Sequence, residues 1–344
     1  MPKQRIAWVD TAKYICIIFV MLAHLESNTY LLSVLYKPFY LSVFFFVSGY
    51  VYIAKDNFGE FLYKKFCGLF VPWLVFSVFN ILLSQIISFN NHGNLQSELC
   101  RNFLQIRGRG DGVWFVAALF MAFIPFYFVV RWSDKCKRST VVIFFSFLLS
   151  VISVTYTILM EPTYFPWGTS ALPWHVEYIF QAMFFMVLGY FFKVEFEKNF
   201  DKYNTTRNRI VCVGMYLLLV YIPYFAQFQF SSVTSIVYQY LCQLFGIVCV
   251  ISICKKVKSN RYVLYIGSNT LICFALHGKI YSLVQTIFKR FVAEFYNGIL
   301  LNTVASSIFA IVFALGLSVI LIVPIYVINR WFPFVLGRRK EILQ

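Results

Sequence analysis

Ten stretches of about twenty residues each, almost free of charge and separated by short polar breaks, dominate this sequence. They run approximately over 6–25, 38–54, 69–89, 113–130, 140–159, 174–192, 210–227, 233–253, 264–288 and 303–329. Each is long enough for one helical crossing of a hydrocarbon layer about 30 Å thick. They are apolar on every face rather than alternating, which argues against barrel strands, and in lipid each backbone amide must be paired within its own segment. The predicted fold class is therefore all-α: a polytopic transmembrane helical bundle of about ten spans. Composition removes the soluble alternatives. The 344 residues are 60% hydrophobic and only 13% charged, against about 45–50% and 25% in soluble domains. That balance excludes a soluble enzyme, a disordered chain and a nucleic-acid binder, in spite of a formal net charge of +16.

The placement of the basic residues sets the expected orientation. With the N-terminus in the cytoplasm, the segments on that side hold 23 of the 30 Lys and Arg. The other seven are Lys37, Arg101, Arg107, Arg109, Lys279, Lys289 and Arg290. Positive charge accumulates on the cytoplasmic side of membrane proteins, so both termini are expected inside, as an even number of spans requires. Asp10 and Lys13 interrupt the first apolar run and no small-residue cleavage site follows Leu25, so the segment reads as an uncleaved span. Nine cysteines are scattered, mostly within spans, without a CxxC pair; neither a disulfide framework nor a metal site is expected. There is no internal repeat, and the loops are too short to fold alone. Residues 1–344 are expected to form a single membrane-embedded domain.

A charge at bilayer depth costs at least roughly 2.5–3.5 kcal/mol on insertion scales, so the polar residues inside the spans carry most of the information. Span one holds Asp10, Lys13 and His24. Asp10 and Lys13, three apart, can meet on one helix face. Eleven positions separate Lys13 from His24, which at about 100° per residue returns to nearly the same face roughly 16 Å further along the axis. Singly, Lys13 can be read as snorkelling to the headgroups and His24 as interfacial; snorkelling leaves Asp10 unexplained. Span nine carries Asn269 and His277, the latter deep enough to be either bonded to a neighbouring helix or lining a hydrated cavity. Ser48 and Gly49 in span two suit close helix packing. Glu177, with His175 beside it, is the carboxylate of interest in span six. Arg101, Arg107 and Arg109 gather in an outer loop that is either an anion-binding cluster or a glycine-rich basic loop with no partner.

These residues sit in strings that resemble the acyltransferase-3 family of integral membrane O-acyltransferases, in particular its fucose O-acetylase-like, polysaccharide-modifying branch. The family's first span carries an acidic residue, a basic residue three on, then ten residues and a histidine. WVDTAKYICIIFVMLAHL supplies these as Asp10, Lys13 and His24. FFFVSGY resembles the second-span string, with Ser48, Gly49 and Tyr50. GVWFVAALF resembles a later one through Trp114 and Phe115, and FFMVLGYFF and GSNTLICFALH, with Gly189 and His277, resemble strings found late in the family. An Arg-x-x-Arg precedes Leu-Leu-x-Pro in the family; this chain has Lys65 and Gly68 before LFVP. Gly68 departs from that pattern, which leaves Lys64 or another inner lysine to take the second position.

The resemblance implies an O-acyltransferase of a bacterial inner membrane, multi-pass. Acetyl-CoA from the cytoplasm would serve as co-substrate, with no bound cofactor, no metal and no nucleic-acid partner. A glycan or lipid-linked glycan would be the acceptor, with membrane lipid around the bundle. In that scheme His24 is the catalytic base, and Asp10 completes the catalytic pair by holding Lys13. Lys13 and Lys65 bind the acyl donor. Ser48, Gly49, Tyr50, Trp114, Asn269, His277, Glu177 and Arg109 form the channel or acceptor site. No acyl-enzyme nucleophile stands out, so direct transfer is expected. A transporter or flippase of lipid-linked saccharide is the competing class, and the absence of repeats and matched broken helices speaks against it.

Overall fold

The computed structural model describes residues 5–87, 94–109, 112–136, 138–160, 165 and 167–338. Among these residues there is no strand, and the chain forms seventeen α-helices. In order they are α1 (Ala7–His24), α2 (Tyr30–Tyr36), α3 (Tyr40–Tyr50), α4 (Phe58–Lys65), α5 (Val71–Ile87), α6 (Leu95–Leu104), α7 (Trp114–Cys136), α8 (Ser139–Leu159) and α9 (Val176–Phe191). There follow α10 (Glu197–Tyr203), α11 (Thr206–Phe225), α12 (Ser232–Cys254), α13 (Arg261–Ser268), α14 (Thr270–Phe291), α15 (Ala293–Leu301), α16 (Thr303–Ile320) and α17 (Ile322–Trp331). Ten helical segments among the described residues have the length and apolarity to cross a membrane. The helical membrane bundle predicted from the apolar stretches is what the chain forms.

Four segments differ in extent from the apolar stretches, for local reasons. The second begins at Tyr30 and is broken around Lys37–Pro38 into α2 and α3, where proline has no N–H to continue a ladder. The third begins at Phe58 rather than 69, because α4 continues through a π-helical turn, Phe66–Phe70, into α5. The sixth continues past its last apolar residue through a π-helical turn, Phe192–Phe196, into α10; the charges there end the hydropathy signal but not the backbone hydrogen bonding. The stretch read as 264–288 is two helices, because Asn269, at φ −118° and ψ 24°, leaves helical geometry between α13 and α14.

The chain divides into two compact units that alternate along the sequence, Met1–Phe44 with Phe196–Ile325 and Phe45–Glu195 with Tyr326–Gln344. In the first, α1 is the central helix, packing on α12, α13, α14 and α16, with Ala12, Cys16, Ile17 and Met21 fully enclosed. Lipid tails are as apolar as these side chains, so close packing and hydrogen bonds, rather than hydrophobic burial, hold such a helix in place. Gly267 of α13 lies against the carbonyl of Asp10, where any Cβ would collide. In the second unit α9 packs on α7 and α8. Ser146, Ser150 and Ser153 form a small-residue stripe on the buried face of α8, and the Ser153 hydroxyl donates to the backbone carbonyl of Glu177. Gly49 of α3 meets the carbonyl of Met186, and Gly189 of α9 meets that of Phe46, so the two backbones touch at both glycines.

Candidate active site

The first unit gathers the polar residues of span one and span nine along one helix. Asp10 lies in the first turn of α1, 7% exposed. Its Oδ1 accepts from Lys13 Nζ at 2.9 Å, one turn on, with the lysine side chain a quarter exposed. Thr11 beside it shares a hydrogen bond with Ser259. The helix runs without a break to His24 at its last residue, so the ion pair and the imidazole stand about 16 Å apart along one axis. His24 is exposed, and its ring lies 5.0 Å from that of His277, tilted by 58°.

His277 sits two turns into α14, which opens at Asn269. The Asn269 side-chain amide donates to Tyr265 O at 2.8 Å and so fixes the corner between α13 and α14. Within α14, His277 Nδ1 lies 2.8 Å from Phe274 O and 3.2 Å from Cys273 O. Both partners are acceptors, so Nδ1 carries the hydrogen and Nε2 is left as an acceptor. That Nε2 is enclosed and has no hydrogen-bond partner among the described residues. Buried polar atoms without partners are rare, and each calls for a reason. One turn beyond His277, the Tyr281 hydroxyl accepts the Glu26 N–H at 2.7 Å, and Ser306 of α16 accepts the Asn28 N–H at 2.8 Å. Glu26 itself pairs with Lys289 at 2.8 Å and with Gln285. The Lys289 ammonium beside it holds its carboxyl below the ordinary 4.5. The strand of chain that leaves His24 is thus anchored to the helix that carries His277. Tyr281 and Glu26 were not among the sequence-derived candidates, although Tyr281, four residues after His277, necessarily shares its face.

The second unit holds the other candidates in two groups. At the start of α7, Trp114 has the His175 ring 5.3 Å away and the Arg107 guanidinium 5.4 Å away; Arg107 also donates to the Tyr178 hydroxyl. His175 is fully enclosed, on a left-handed backbone at φ 55° following Trp174 at φ 59°. Neither of its ring nitrogens has a hydrogen-bond partner among the described residues, and Nδ1 is 4.0 Å from the Glu177 carboxylate. Glu177, 5% exposed, accepts the Leu172 N–H at 2.9 Å. Its carboxylate therefore closes the loop that leads into α9. Arg109 is exposed beside Gly168; Gly110 and Asp111, which follow it, lie outside the described residues.

The second group stands at the other end of α7. Lys65 ends α4 with its Nζ 3.5 Å from the centre of the Phe123 ring, immediately before a π-helical turn, Phe66–Phe70. Gly68 lies in that turn, and a Cβ there would meet nothing within 4 Å. Lys64 is held by Asp56 at 2.5 Å. Tyr50 is enclosed under Lys193, whose Nζ is 5.7 Å from the ring centre, and Gly49 makes the backbone contact with α9 described above; Ser48 precedes them on α3. Among the described residues no cluster of His, Cys, Asp and Glu could hold a metal ion.

The family comparison decides what class of chemistry this arrangement serves. Residues 6–326 match the family model of the acyltransferase domain. The chain belongs to the acyltransferase-3 family. No curated protein and no solved structure matches it. As an acyltransferase-3 protein it is a multi-pass membrane acyltransferase, and the match runs through both units, from before Asp10 to within α17. The acyltransferase-3 resemblance rested on short strings; the match now spans every one of them.

Proposed function

We propose that this protein transfers an acetyl group from cytoplasmic acetyl-CoA to a sugar hydroxyl of a bacterial surface polysaccharide or its lipid-linked precursor. The proposal places it in the fucose O-acetylase-like branch, in the inner membrane, with both termini in the cytoplasm. The observation that carries this reading is the imidazole pair: an exposed His24 packed on a His277 whose Nδ1 is committed to backbone carbonyls and whose Nε2 has no hydrogen-bond partner among the described residues. A base for acyl transfer needs an accessible ring held in one orientation, and the second ring with the Glu26–Tyr281 anchor supplies the holding.

In the proposed step the acceptor oxygen attacks the thioester carbonyl as His24 takes the hydroxyl proton. The new C–O bond forms, the C–S bond breaks, and the proton passes to the departing CoA thiolate, so that ester and free CoA leave. No covalent enzyme intermediate is needed. Lys13, kept in place by Asp10, binds the donor's phosphates at the other end of α1, with Lys65 as a second donor contact. Acceptor contacts are assigned to groups with sugar-binding chemistry, the aromatic face of Trp114 and the forked cation of Arg109.

The test is comparative NMR of purified surface polysaccharide from wild type, a deletion strain and a His24→Ala strain. O-acetyl signals should be missing in both altered strains, with His24→Ala protein present in the membrane at wild-type abundance. Full acetylation in the His24→Ala strain would reject the assignment.

A further inference from the structure

At the end of the first unit where Arg207, Arg209, Lys255, Lys256 and Lys258 collect, α11 and α12 part to leave a groove of about 580 Å³. Val213, Gly214 and Leu217 of α11 and Ile253 of α12 line it, and Arg209 and Lys256 stand at its charged end. Two features define the occupant it suits. First, the cations at its mouth are not neutralised. Lys255 is taken by Glu197 and by Asp201, the latter at 3.1 Å. Among the described residues no carboxylate lies within 4.0 Å of Arg209 or Lys256. Arg209 makes one neutral hydrogen bond, from Nη2 to Thr206 Oγ1 at 2.9 Å. Second, the groove opens on the exposed apolar face of a helix long enough to cross a membrane. Only 11% of the α11 span is buried, against 50% of α12, and Ile210, Met215, Leu217 and Leu218 are exposed. Gly214 keeps the floor open, since a Cβ there would meet nothing within 4 Å.

We propose that this groove is a binding site for an anionic phospholipid, with its phosphate between Arg209 and Lys256 and an acyl chain along Val213, Gly214 and Leu217. A soluble anion would use the cations but not the apolar floor; a zwitterionic lipid would use the floor but leave the cations in excess. Basic pockets between spanning helices are suited to anionic headgroups for this reason. None of the residues that line the groove is assigned to acyl transfer, and the proposal does not rest on that assignment.

The test uses the purified full-length protein in mixed micelles. Phosphatidylglycerol and phosphatidylcholine are the probes, with bound lipid read by native mass spectrometry and stabilisation by the thermal midpoint. Wild type should retain phosphatidylglycerol over phosphatidylcholine by roughly tenfold. Arg209→Gln/Lys256→Gln should lose that preference. Gly214→Phe, which fills the groove from a position with free space, should lose bound lipid of both kinds, with Gly214→Leu as the milder version should the larger ring disturb folding. The same preference in wild type and the charge variant would overturn the proposal, as would equal retention of the two lipids by wild type. So would stabilisation by inorganic phosphate or CoA without any by phosphatidylglycerol, because the ligand would then be soluble.

Discussion

His277 in the first unit and His175 in the second are both enclosed, at 6% and 0% exposure, yet they are held in opposite ways. His277 rides on a continuous helix, has one ring nitrogen committed to the carbonyls of the preceding turn, and faces another imidazole across helices. His175 sits on a left-handed backbone in the loop before α9, with neither nitrogen hydrogen-bonded among the described residues and a tryptophan beside it. A fixed tautomer next to an exposed imidazole suits the proton transfer proposed for His24, which requires orientation before anything else. An imidazole walled in by a loop, under a carboxylate that is itself engaged with backbone, has the hallmarks of a packed element of that loop. Enclosure alone does not distinguish the two; hydrogen-bond commitment and the neighbouring ring do.

The largest effect that bears on this contrast belongs to the first unit's ion pair. Lys13→Ala should abolish acetylation and lower stability by about 3 kcal/mol, because it leaves the Asp10 carboxylate enclosed without its cation, whereas Lys13→Arg should keep substantial activity. Thermal midpoints and glycan acetylation of the two variants, measured side by side, check this; equal loss in both would remove the charge argument. Next, His277→Leu should cut kcat roughly tenfold while leaving the thermal midpoint unchanged or higher, since it deletes an enclosed nitrogen that has no partner among the described residues. His175→Leu should leave kcat within about twofold. Should His175→Leu cost as much rate as His277→Leu in a folded protein, the contrast drawn above fails.

A smaller change is expected at Glu177. Removing its carboxylate in Glu177→Ala strands the Leu172 N–H and should cost about 1–3 kcal/mol, while Glu177→Gln, which keeps an acceptor oxygen, should recover most of it. Thermal unfolding of the purified variants reads this difference. The smallest effect is pH-dependent. Glu26 has its carboxyl held below the ordinary 4.5 by Lys289, so its contribution to stability is complete above that value and is lost as pH falls through the lowered one. Lys289→Met should lower stability slightly near neutrality and flatten the acid limb, so that the difference from wild type closes as pH falls through the lowered value. Because the pair is about half exposed on each side, added salt should reduce the difference.

Much of the fold was legible because a membrane span advertises itself. Length and apolarity are local properties, and ten stretches read from them are ten helical segments among the described residues. Where the reading missed, the cause was equally local: charges in the π-helical turn after Phe191 hid the continuing helix, and the corner at Asn269 is invisible to hydropathy. Within α1 the polar line of the candidate site was readable too. The 3.6-residue period puts Asp10, Lys13 and His24 on one face whatever surrounds the helix. The groove between α11 and α12 was not readable, because it depends on the two helices parting at one end and on which cations are already paired there.

What the chain alone determined is the class of fold, the approximate number of spans and the polar line along α1, since each follows from spacing along one helix and from the cost of leaving charge in lipid. Tertiary structure decided which ring faces His24, which nitrogen of His277 is committed to backbone carbonyls, and that Glu26 and Tyr281 anchor the chain beside them. Those are contacts between helices far apart in sequence. They depend on how side chains and backbones interlock across a bundle, and no periodicity within a single helix encodes that.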